Sequence, residues 1–158
     1  MKRINDNLII RETTAADIPQ IFTLILELSE YEKLRHTVTA DEELLRKNIF
    51  GKNKYAQVVF AEYNRELAGQ ALFFYNFSTF KGKPGLYLED LYVRPAYRNR
   101  GIGKALLKYL IDLAKVKNCG RMEWVVLDWN QPAIDFYRSI GAEPMSDWIV
   151  FRLSEDKF

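Results

Sequence analysis

Residues that commonly cross-link a chain or bind metal ions are scarce in this sequence. Its 158 residues include one cysteine, Cys119, and one histidine, His36. A single cysteine cannot form a disulfide within the chain, and a His/Cys metal site lacks its ligands. The first seven residues have no apolar core of the signal-peptide kind, and no apolar run approaches the length of a membrane span. We therefore expect a cytoplasmic protein with no bound metal and no membrane contact.

A strong excess of one charge is absent as well. The chain has 23 lysines and arginines against 21 aspartates and glutamates, for a net charge of +2. These charges are dispersed, so electrostatics give no reason to expect a nucleic-acid partner. Hydrophobic residues make up 48% of the chain, enough for one core, and no linker or repeat divides it. We therefore predict a single domain over residues 1–158.

Hydrophobic periodicity predicts strands that cluster early and alternate with helices late. Thr14 and Asp17 form a capping box for the first helix, and Asn130 caps the last one, which Gly141 ends. The predicted strands are residues 8–11, 55–63, 67–77, 85–93, 121–129 and 148–153. The predicted helices run from 14 to about 31, 40–50, 101–118 and 130–141. This order predicts an α/β (α+β) fold with a mixed sheet.

A turn with two glycines precedes the clearest helix and is the most informative stretch. It reads Arg98-Asn99-Arg100-Gly101-Ile102-Gly103. The free amides of a helix's first turn favour an anion, glycine lets the backbone approach it, and arginines suit phosphate. Two glycines alone would indicate only a tight turn. In this context we predict a phosphate or pyrophosphate ligand.

Two other phosphate-binding motifs do not fit this turn. A P-loop needs Ser or Thr after its lysine, whereas Lys104 is followed by Ala105. A dinucleotide fingerprint needs a small residue three positions after Gly103, where Leu106 stands.

The turn matches the Arg/Gln-x-x-Gly-x-Gly/Ala motif and resembles the Gcn5-related N-acetyltransferases. Further stretches, in the same order along nearly the whole chain, resemble the diamine (spermidine/spermine) acetyltransferase branch. These stretches are Thr14–Asp17, Leu28–Glu32, Leu86–Val93, and Trp129–Pro132 with Phe136–Tyr137. The resemblance implies one N-acetyltransferase domain and a mixed, mostly antiparallel sheet flanked by helices. Its two central parallel strands, Leu86–Val93 and Met122–Trp129, would splay apart. Acetyl-coenzyme A would be the cosubstrate, and the protein would be a homodimer.

The resemblance also implies which residues hold the coenzyme. Backbone groups of Leu91, Tyr92 and Val93 would pair with the pantetheine arm. The pyrophosphate would lie on the turn formed by Arg98, Asn99, Arg100, Gly101, Ile102, Gly103 and Lys104. The thiol end would be lined by Asn130, Gln131, Pro132 and Ala133.

Amide formation from a thioester needs a neutral amine, although alkylamines are mostly protonated at neutral pH. No His or Cys nucleophile is well placed, which favours direct attack. Glu89 is the predicted base, acting through water, because an acid inside an apolar strand is unusual; the alternative is a solvated edge carboxylate. Asp90 would point to the opposite face unless a β-bulge re-aims one of the two.

Tyr137 is the predicted general acid. It matches the family tyrosine that protonates the coenzyme A sulfur, and it lies about two helical turns after Asn130. The alternative is an ordinary core tyrosine beside Phe136, which periodicity alone would favour. The oxyanion donor would be a backbone amide near Leu91 rather than a side chain.

The acceptor site should be acidic because the amine arrives as a cation. Tyr31 and Glu32 match family substrate positions, along with Glu89 and Asp90; a polar helix end is the alternative for the first two. Residues 78–83 carry two lysines and no acid, unlike polyamine enzymes of the branch. That segment, with residues 126–131, resembles the thialysine N-epsilon-acetyltransferase group, and the lysines could face a carboxylate.

We therefore expect a thialysine-like or lysine-like amino acid, or a small diamine, before a polyamine. Three other functions stay open at this point. The fold could acetylate a protein N-terminus, an antibiotic or another metabolite. The chain could instead sense acyl-coenzyme A without catalysis, or bind an amine with no coenzyme at all.

Overall fold

Consecutive strands pair along the chain and form one six-stranded sheet in the order β1 to β6. The computed structural model describes residues 1–158. Its strands are β1 (Lys2–Arg3), β2 (Leu8–Glu12), β3 (Gln57–Tyr63), β4 (Glu66–Ser78), β5 (Lys83–Val93) and β6 (Arg121–Glu123). Neighbours from β1 to β5 are antiparallel, and β6 runs parallel to β5. The predicted mixed, mostly antiparallel sheet is confirmed.

Four α-helices accompany the sheet. They are α1 (Ile18–Tyr31), α2 (Glu42–Leu45), which continues as a π-helical turn to Phe50, α3 (Ile102–Val116) and α4 (Gln131–Ser139). The chain divides into two compact units. Residues 1–125 hold the sheet and α1 to α3, and residues 126–158 hold α4. No helix combines the length and the apolar character that crossing a membrane requires.

The predicted capping box starts α1. The Thr14 amide donates to Asp17 Oδ2 at 2.7 Å, and Arg11 Nη2 donates to Asp17 Oδ1 at 2.8 Å. The hydrogen bond from Arg11 lowers the pKa of Asp17 to about 2. One face of the helix that follows is fully buried and packs against residues of β3, β4 and β5, among them Phe60, Leu72 and Tyr92.

A β-bulge interrupts β5 at Glu89. Leu88 pairs with Phe73 of β4 and Asp90 pairs with Leu72, so Glu89 is the extra residue between them. Because side chains alternate along a strand, one extra residue moves the following side chains to the other face. Asp90 therefore shares a face with Leu72, which belongs to the α1 core, instead of the face that carries Leu88.

The strand predicted over residues 121–129 is shorter in the structure. β6 ends at Glu123, whose partner on β5 is Tyr87, and residues 124–127 belong to no strand. The bulge begins two residues later on β5, and a bulge bends its strand, which ends a straight ladder. The rest of β5, from Leu88 to Val93, pairs with β4 only. Parallel pairing that stops halfway agrees with the predicted splayed strands.

The predicted closing strand, residues 148–153, is absent. A strand needs a neighbour for its backbone groups, and this segment enters no ladder. Its apolar side chains are exposed, including Ile149 and Phe151. The apolar composition that suggested a strand is therefore not accompanied by burial.

Candidate active site

The glycine turn presents a row of unpaired backbone donors. β5 ends at Val93, a short 3-10 turn (Pro95–Tyr97) follows, and α3 begins at Ile102. The amides from Asn99 to Lys104 donate to no acceptor in the protein, and the first to bond is that of Ala105, to the Gly101 carbonyl at 2.9 Å. Six neighbouring amides at a helix N-terminus suit an anion with several oxygens. A diphosphate has that form.

Glycine occupies the two positions of this turn for different physical reasons. Gly101 has φ +75°, a left-handed conformation that other residues adopt at a cost. Gly103 lies in the first turn of α3 and has no such need. A Cβ there would contact only Val93 Cγ2, at 3.8 Å, so internal packing does not require glycine either. Its small size keeps the amides around it accessible.

Arg98 turns its side chain back toward β5 and α1. Its Nε donates to the Val93 carbonyl at 3.0 Å, and its guanidinium lies 4.7 Å from the ring centroid of Tyr31 and 6.0 Å from that of Tyr92. Arg100 instead lies over Tyr63, at 5.4 Å. The two arginines that the sequence placed together at the phosphate turn therefore face different neighbours.

The edge of β5 beyond Tyr87 is the second feature suited to a coenzyme. Leu91, Tyr92 and Val93 lie in the stretch that pairs with β4 only. An extended amide chain can pair with such an edge as an added strand does. The Tyr92 side chain is buried against α1, and burial raises the pKa of its hydroxyl. The residues present therefore fit both the diphosphate and the pantetheine arm.

The structure brings three of the predicted acids together. The pKa of the half-buried Asp90 rises to about 7, first because of burial and then because of the carboxylates of Glu89 and Glu32. Burial also raises the pKa of Glu32, which follows the last residue of α1. No hydrogen bond contributes to the raised pKa of Asp90, and Glu89 is exposed. This arrangement attracts a cation and can accept its proton near neutral pH.

An ion pair between Glu27 of α1 and Arg94, the residue after β5, could not be predicted from the sequence. Arg94 Nη2 donates to Glu27 Oε1 at 2.7 Å, its Nε contacts both oxygens of the same carboxylate, and its Nη1 donates to the Leu67 carbonyl at 3.1 Å. This pair fixes α1 to the end of β5. Glu27 and Arg94 are 67 positions apart, and no local pattern links them.

Residues 126–158 form the second unit, which holds the remaining predicted residues on α4. Pro132 occupies the first turn, between Gln131 and Ala133. Asn130 precedes the helix, but its side chain makes no capping hydrogen bond, because its backbone (φ −83°, ψ 64°) departs from the extended conformation of an N-cap. Tyr137 is half-buried, with its ring centroid 5.4 Å from that of Phe136.

Lys81 and Lys83 lie at the other end of β5 from the acids. Lys83 Nζ donates to Asn118 Oδ1 at 3.2 Å. Seven strand residues, or roughly 23 Å, separate Lys83 from Asp90. Within one chain, these lysines are therefore too far away to hold the carboxylate of an amino acid whose amine lies at Asp90. No group of three or more His, Cys, Asp or Glu side chains could hold a metal ion.

Residues 19–142 match the family described as acetyltransferase (GNAT) family. The chain is 38% identical over 154 residues to the thialysine N-epsilon-acetyltransferase of Bos taurus, covering 90% of each protein. It is 30% identical over 192 aligned positions to an L-ornithine N5-acetyltransferase of Arabidopsis thaliana, covering 93% of this chain and 84% of that one.

A solved structure with a similar fold is an integron cassette protein from the mobile metagenome of V. cholerae. It superposes with a TM-score of 0.81 at 25% identity, over 97% of this chain and 96% of that one. The likeness therefore extends over nearly the full length of both chains.

Proposed function

The chain belongs to the acetyltransferase (GNAT) family and is an N-acetyltransferase, and we propose that it transfers acetyl from acetyl-coenzyme A to the side-chain amine of a lysine-like amino acid or a small diamine. The observation that carries this proposal is the β-bulge at Glu89. It brings Glu89 and Asp90 together near Glu32, on the strand that leads into the glycine turn.

In this proposal the coenzyme is held by backbone groups. The amides from Asn99 to Lys104 bind its diphosphate, and the edge from Leu91 to Val93, which pairs with no strand on that side, binds the pantetheine amides. Acetyl-coenzyme A supplies a thioester whose C–S bond breaks as the amine nitrogen forms a C–N bond with the acetyl carbon. Residues Asn130 to Ala133 are assigned to the thiol end by family resemblance.

The acids act on the amine. Asp90 and Glu32 bind the ammonium group, and Glu89, which is exposed and so reaches solvent, takes its proton through a water molecule. The amine is then neutral and has a lone pair for attack. Tyr137 is assigned the opposite task, which is to give a proton to the departing thiolate. Protons lost and gained balance over the reaction.

Two relatives support an amino acid as acceptor. Thialysine and ornithine, named for the bovine and plant relatives, each carry a terminal amine and an α-carboxylate. The segment Ser78–Lys83 has no acid, so nothing there favours a second ammonium group. We therefore place lysine-like amino acids first, small diamines second and polyamines last.

A thiol-release assay across lysine, thialysine, ornithine, cadaverine, putrescine and spermidine tests the proposal. We expect turnover with the amino acids, and we expect Glu89→Gln to lower kcat on the order of 100-fold while coenzyme binding by calorimetry is unchanged. Tyr137→Phe should lower kcat similarly. Coenzyme binding without turnover of any amine would instead establish a sensor, and absence of both would contradict the proposal.

A further inference from the structure

A glutamine is buried in the apolar core under α1 without a hydrogen-bond partner. Gln70 of β4 has no exposed surface, and neither its side-chain nitrogen nor its side-chain oxygen bonds to another group of the protein. A buried amide with no partner lowers stability, and an apolar residue of the same size would avoid that loss. The loss is removed only in a state that gives the amide a partner.

We propose that Gln70 is a positioning residue for the acceptor amine: when the ammonium group binds, the Gln70 amide donates a hydrogen bond to the charged carboxylate of Asp90 and holds it toward the amine. This inference rests on the proposed function, in which Asp90 binds the ammonium group. Gln70 transfers no proton itself, because an amide side chain does not ionise at neutral pH. It therefore orients the carboxylate without adding a charge to the site.

The register of the sheet puts Gln70 and Asp90 on the same face. Gln70 pairs with Phe60 of β3 and with Tyr92 of β5, and Leu72, two positions further along β4, pairs with Asp90. Directly paired residues share a face, as do residues two positions apart on one strand. Gln70 and Asp90 are therefore diagonal neighbours beneath α1. Without the β-bulge of β5, the acid would point to the opposite face.

The separation of these two side chains is one that a glutamine can cover. Diagonal neighbours on one face of a sheet have Cβ atoms roughly 7–8 Å apart or somewhat less. The amide nitrogen of an extended glutamine lies roughly 4 Å from its Cβ, and aspartate oxygens lie roughly 2.5 Å from theirs. A hydrogen bond adds about 3 Å. These lengths together exceed the separation, so the contact needs only a rotation of the two side chains.

Other polar groups near Gln70 already have partners or lie on the other face. The Glu27 carboxylate accepts from Arg94, and a hydrogen bond with Glu27 contributes to the raised pKa of Tyr92. The buried Tyr75 hydroxyl also lacks a partner, but an odd number of positions along β4 puts it on the opposite face. Asp90 is therefore the partner that this face offers to the amide.

Gln70→Met removes the amide and keeps the length of the side chain. KM for lysine should rise roughly tenfold or more, the range for a lost hydrogen bond to a charged group. The value of kcat should stay within about twofold, because Glu89 and Tyr137 are unchanged. Tm should rise by a few degrees, since an unpaired amide is removed. A residue that only fills the core would not raise KM in a protein more stable than the wild type.

Gln57→Met is the matched control. Gln57 is an exposed glutamine at the start of β3, and its replacement should change neither KM nor kcat.

A double-mutant cycle with Asp90→Asn tests whether Gln70 acts through Asp90. Asp90→Asn alone should raise KM for lysine. Adding Gln70→Met to it should then change KM by no more than about twofold, because the charged partner is already gone. Independent effects would multiply instead.

The wild-type protein allows a measurement that does not depend on the folding of a variant. The chain has four glutamines, and all except Gln70 are exposed. The side-chain amide of Gln70 should therefore be the one protected from exchange with solvent deuterium. In protein labelled with nitrogen-15 glutamine, its resonances should shift when lysine is added to the complex with coenzyme A, which cannot donate acetyl.

An unchanged KM in Gln70→Met, effects that multiply in the cycle, or an unshifted buried amide would each overturn this assignment. The proposed function would still stand after any of these outcomes, because the wild-type enzyme would still acetylate its amine. A wild-type enzyme that acetylates no amine would overturn both.

Discussion

Three carboxylates lie near the end of α1, and folding raises the pKa of Asp90 well above its usual value. Its value rises from 3.8 to about 7 because the side chain is removed from water beside Glu89 and Glu32. A carboxyl that ionises around neutral pH can respond to the charge of a ligand. Binding of an ammonium group would lower the pKa of Asp90 again, so amine binding should strengthen as the pH rises from 6 to 8.

Asp90→Asn should therefore stabilise the free protein above neutral pH. A raised pKa gives stability that is present below the unfolded value near 4 and is lost as pH rises through 7. The variant lacks this loss and should exceed the wild type by about 4 kcal/mol at pH 8, or on the order of 10 °C in Tm. Thermal unfolding at pH 4, 6 and 8 measures the difference, which should grow with pH. Glu30→Gln, on the exposed side of α1, should show no such growth.

Substituting alanine for the two glycines of the phosphate turn should have different effects, on stability at Gly101 and on coenzyme affinity at Gly103. Gly101→Ala forces a left-handed residue and should cost about 1 kcal/mol of stability. Gly103→Ala meets only an ordinary contact with Val93, so its Tm should stay close to that of the wild type. Its affinity for coenzyme A should instead fall roughly tenfold, because the methyl group covers unpaired amides. Calorimetric titration and melting of both variants separate the effects; a normal affinity in Gly103→Ala would contradict the assigned diphosphate site.

At the scale of single elements, the start of α1 depends on one carboxylate. The Asp17 carboxylate accepts hydrogen bonds from the Thr14 amide and from two nitrogens of Arg11. Arg11 is held in turn by Glu62 of β3, at 2.6 Å. The residue that precedes α1 is thereby tied to two strands, β2 and β3.

Asp17→Asn should destabilise the protein by about 2 kcal/mol at pH 7, since its pKa is about 2 against a usual 3.8. A lowered pKa gives stability that is present above the usual value and lost as pH falls through 2. The gap between variant and wild type should therefore close toward pH 2.5, as measured by urea unfolding. Asp41→Asn, which removes a charge at the start of the shorter α2 but keeps an oxygen that can accept from the Leu44 amide, is the comparison and should cost less than 1 kcal/mol. A gap that stays constant with pH would count against the Arg11 contact.

Local patterns predicted these elements well wherever the cause is local. The capping box of α1 spans four residues, and α3 follows from its own apolar stripe, so both are visible in the sequence. The length of β6 is not, because a strand ends where its neighbour stops pairing. The sequence leaves open whether a bulge occurs at Glu89, because a bulge depends on the register between β4 and β5. The ion pair of Glu27 and Arg94 joins residues 67 positions apart, so no local pattern predicts it.

For the whole molecule, the predicted resemblance to the Gcn5-related N-acetyltransferases, and to the thialysine group among them, is confirmed by the comparisons. The single domain, the homodimer and the individual site residues stay predictions.

Exposed apolar side chains near the end of the chain are relevant to the predicted homodimer. Ile149, Val150 and Phe151 are 79%, 73% and 91% exposed, which is unusual for consecutive apolar residues and typical of an interaction surface.

We propose that this segment is covered in a homodimer. The wild type should elute with about twice its chain mass of 18.6 kDa in size exclusion with light scattering. Ile149→Lys combined with Phe151→Lys should give the single-chain mass, because two charges cannot be buried without partners. Val116→Lys, at an isolated valine that is 81% exposed, should leave the dimer intact. A wild-type protein of single-chain mass, or a doubly substituted protein that still dimerises, would exclude this surface as the interface.

The bulge in β5 has a genetic consequence. Leu88 and Asp90 already face neighbouring positions of β4, Phe73 and Leu72, so removing the residue between them leaves every other pair in place. An in-frame loss of the Glu89 codon would therefore yield a regular sheet that lacks its proposed proton acceptor. The encoded protein should be expressed and folded normally, and its kcat should be lowered on the order of 100-fold, as in Glu89→Gln.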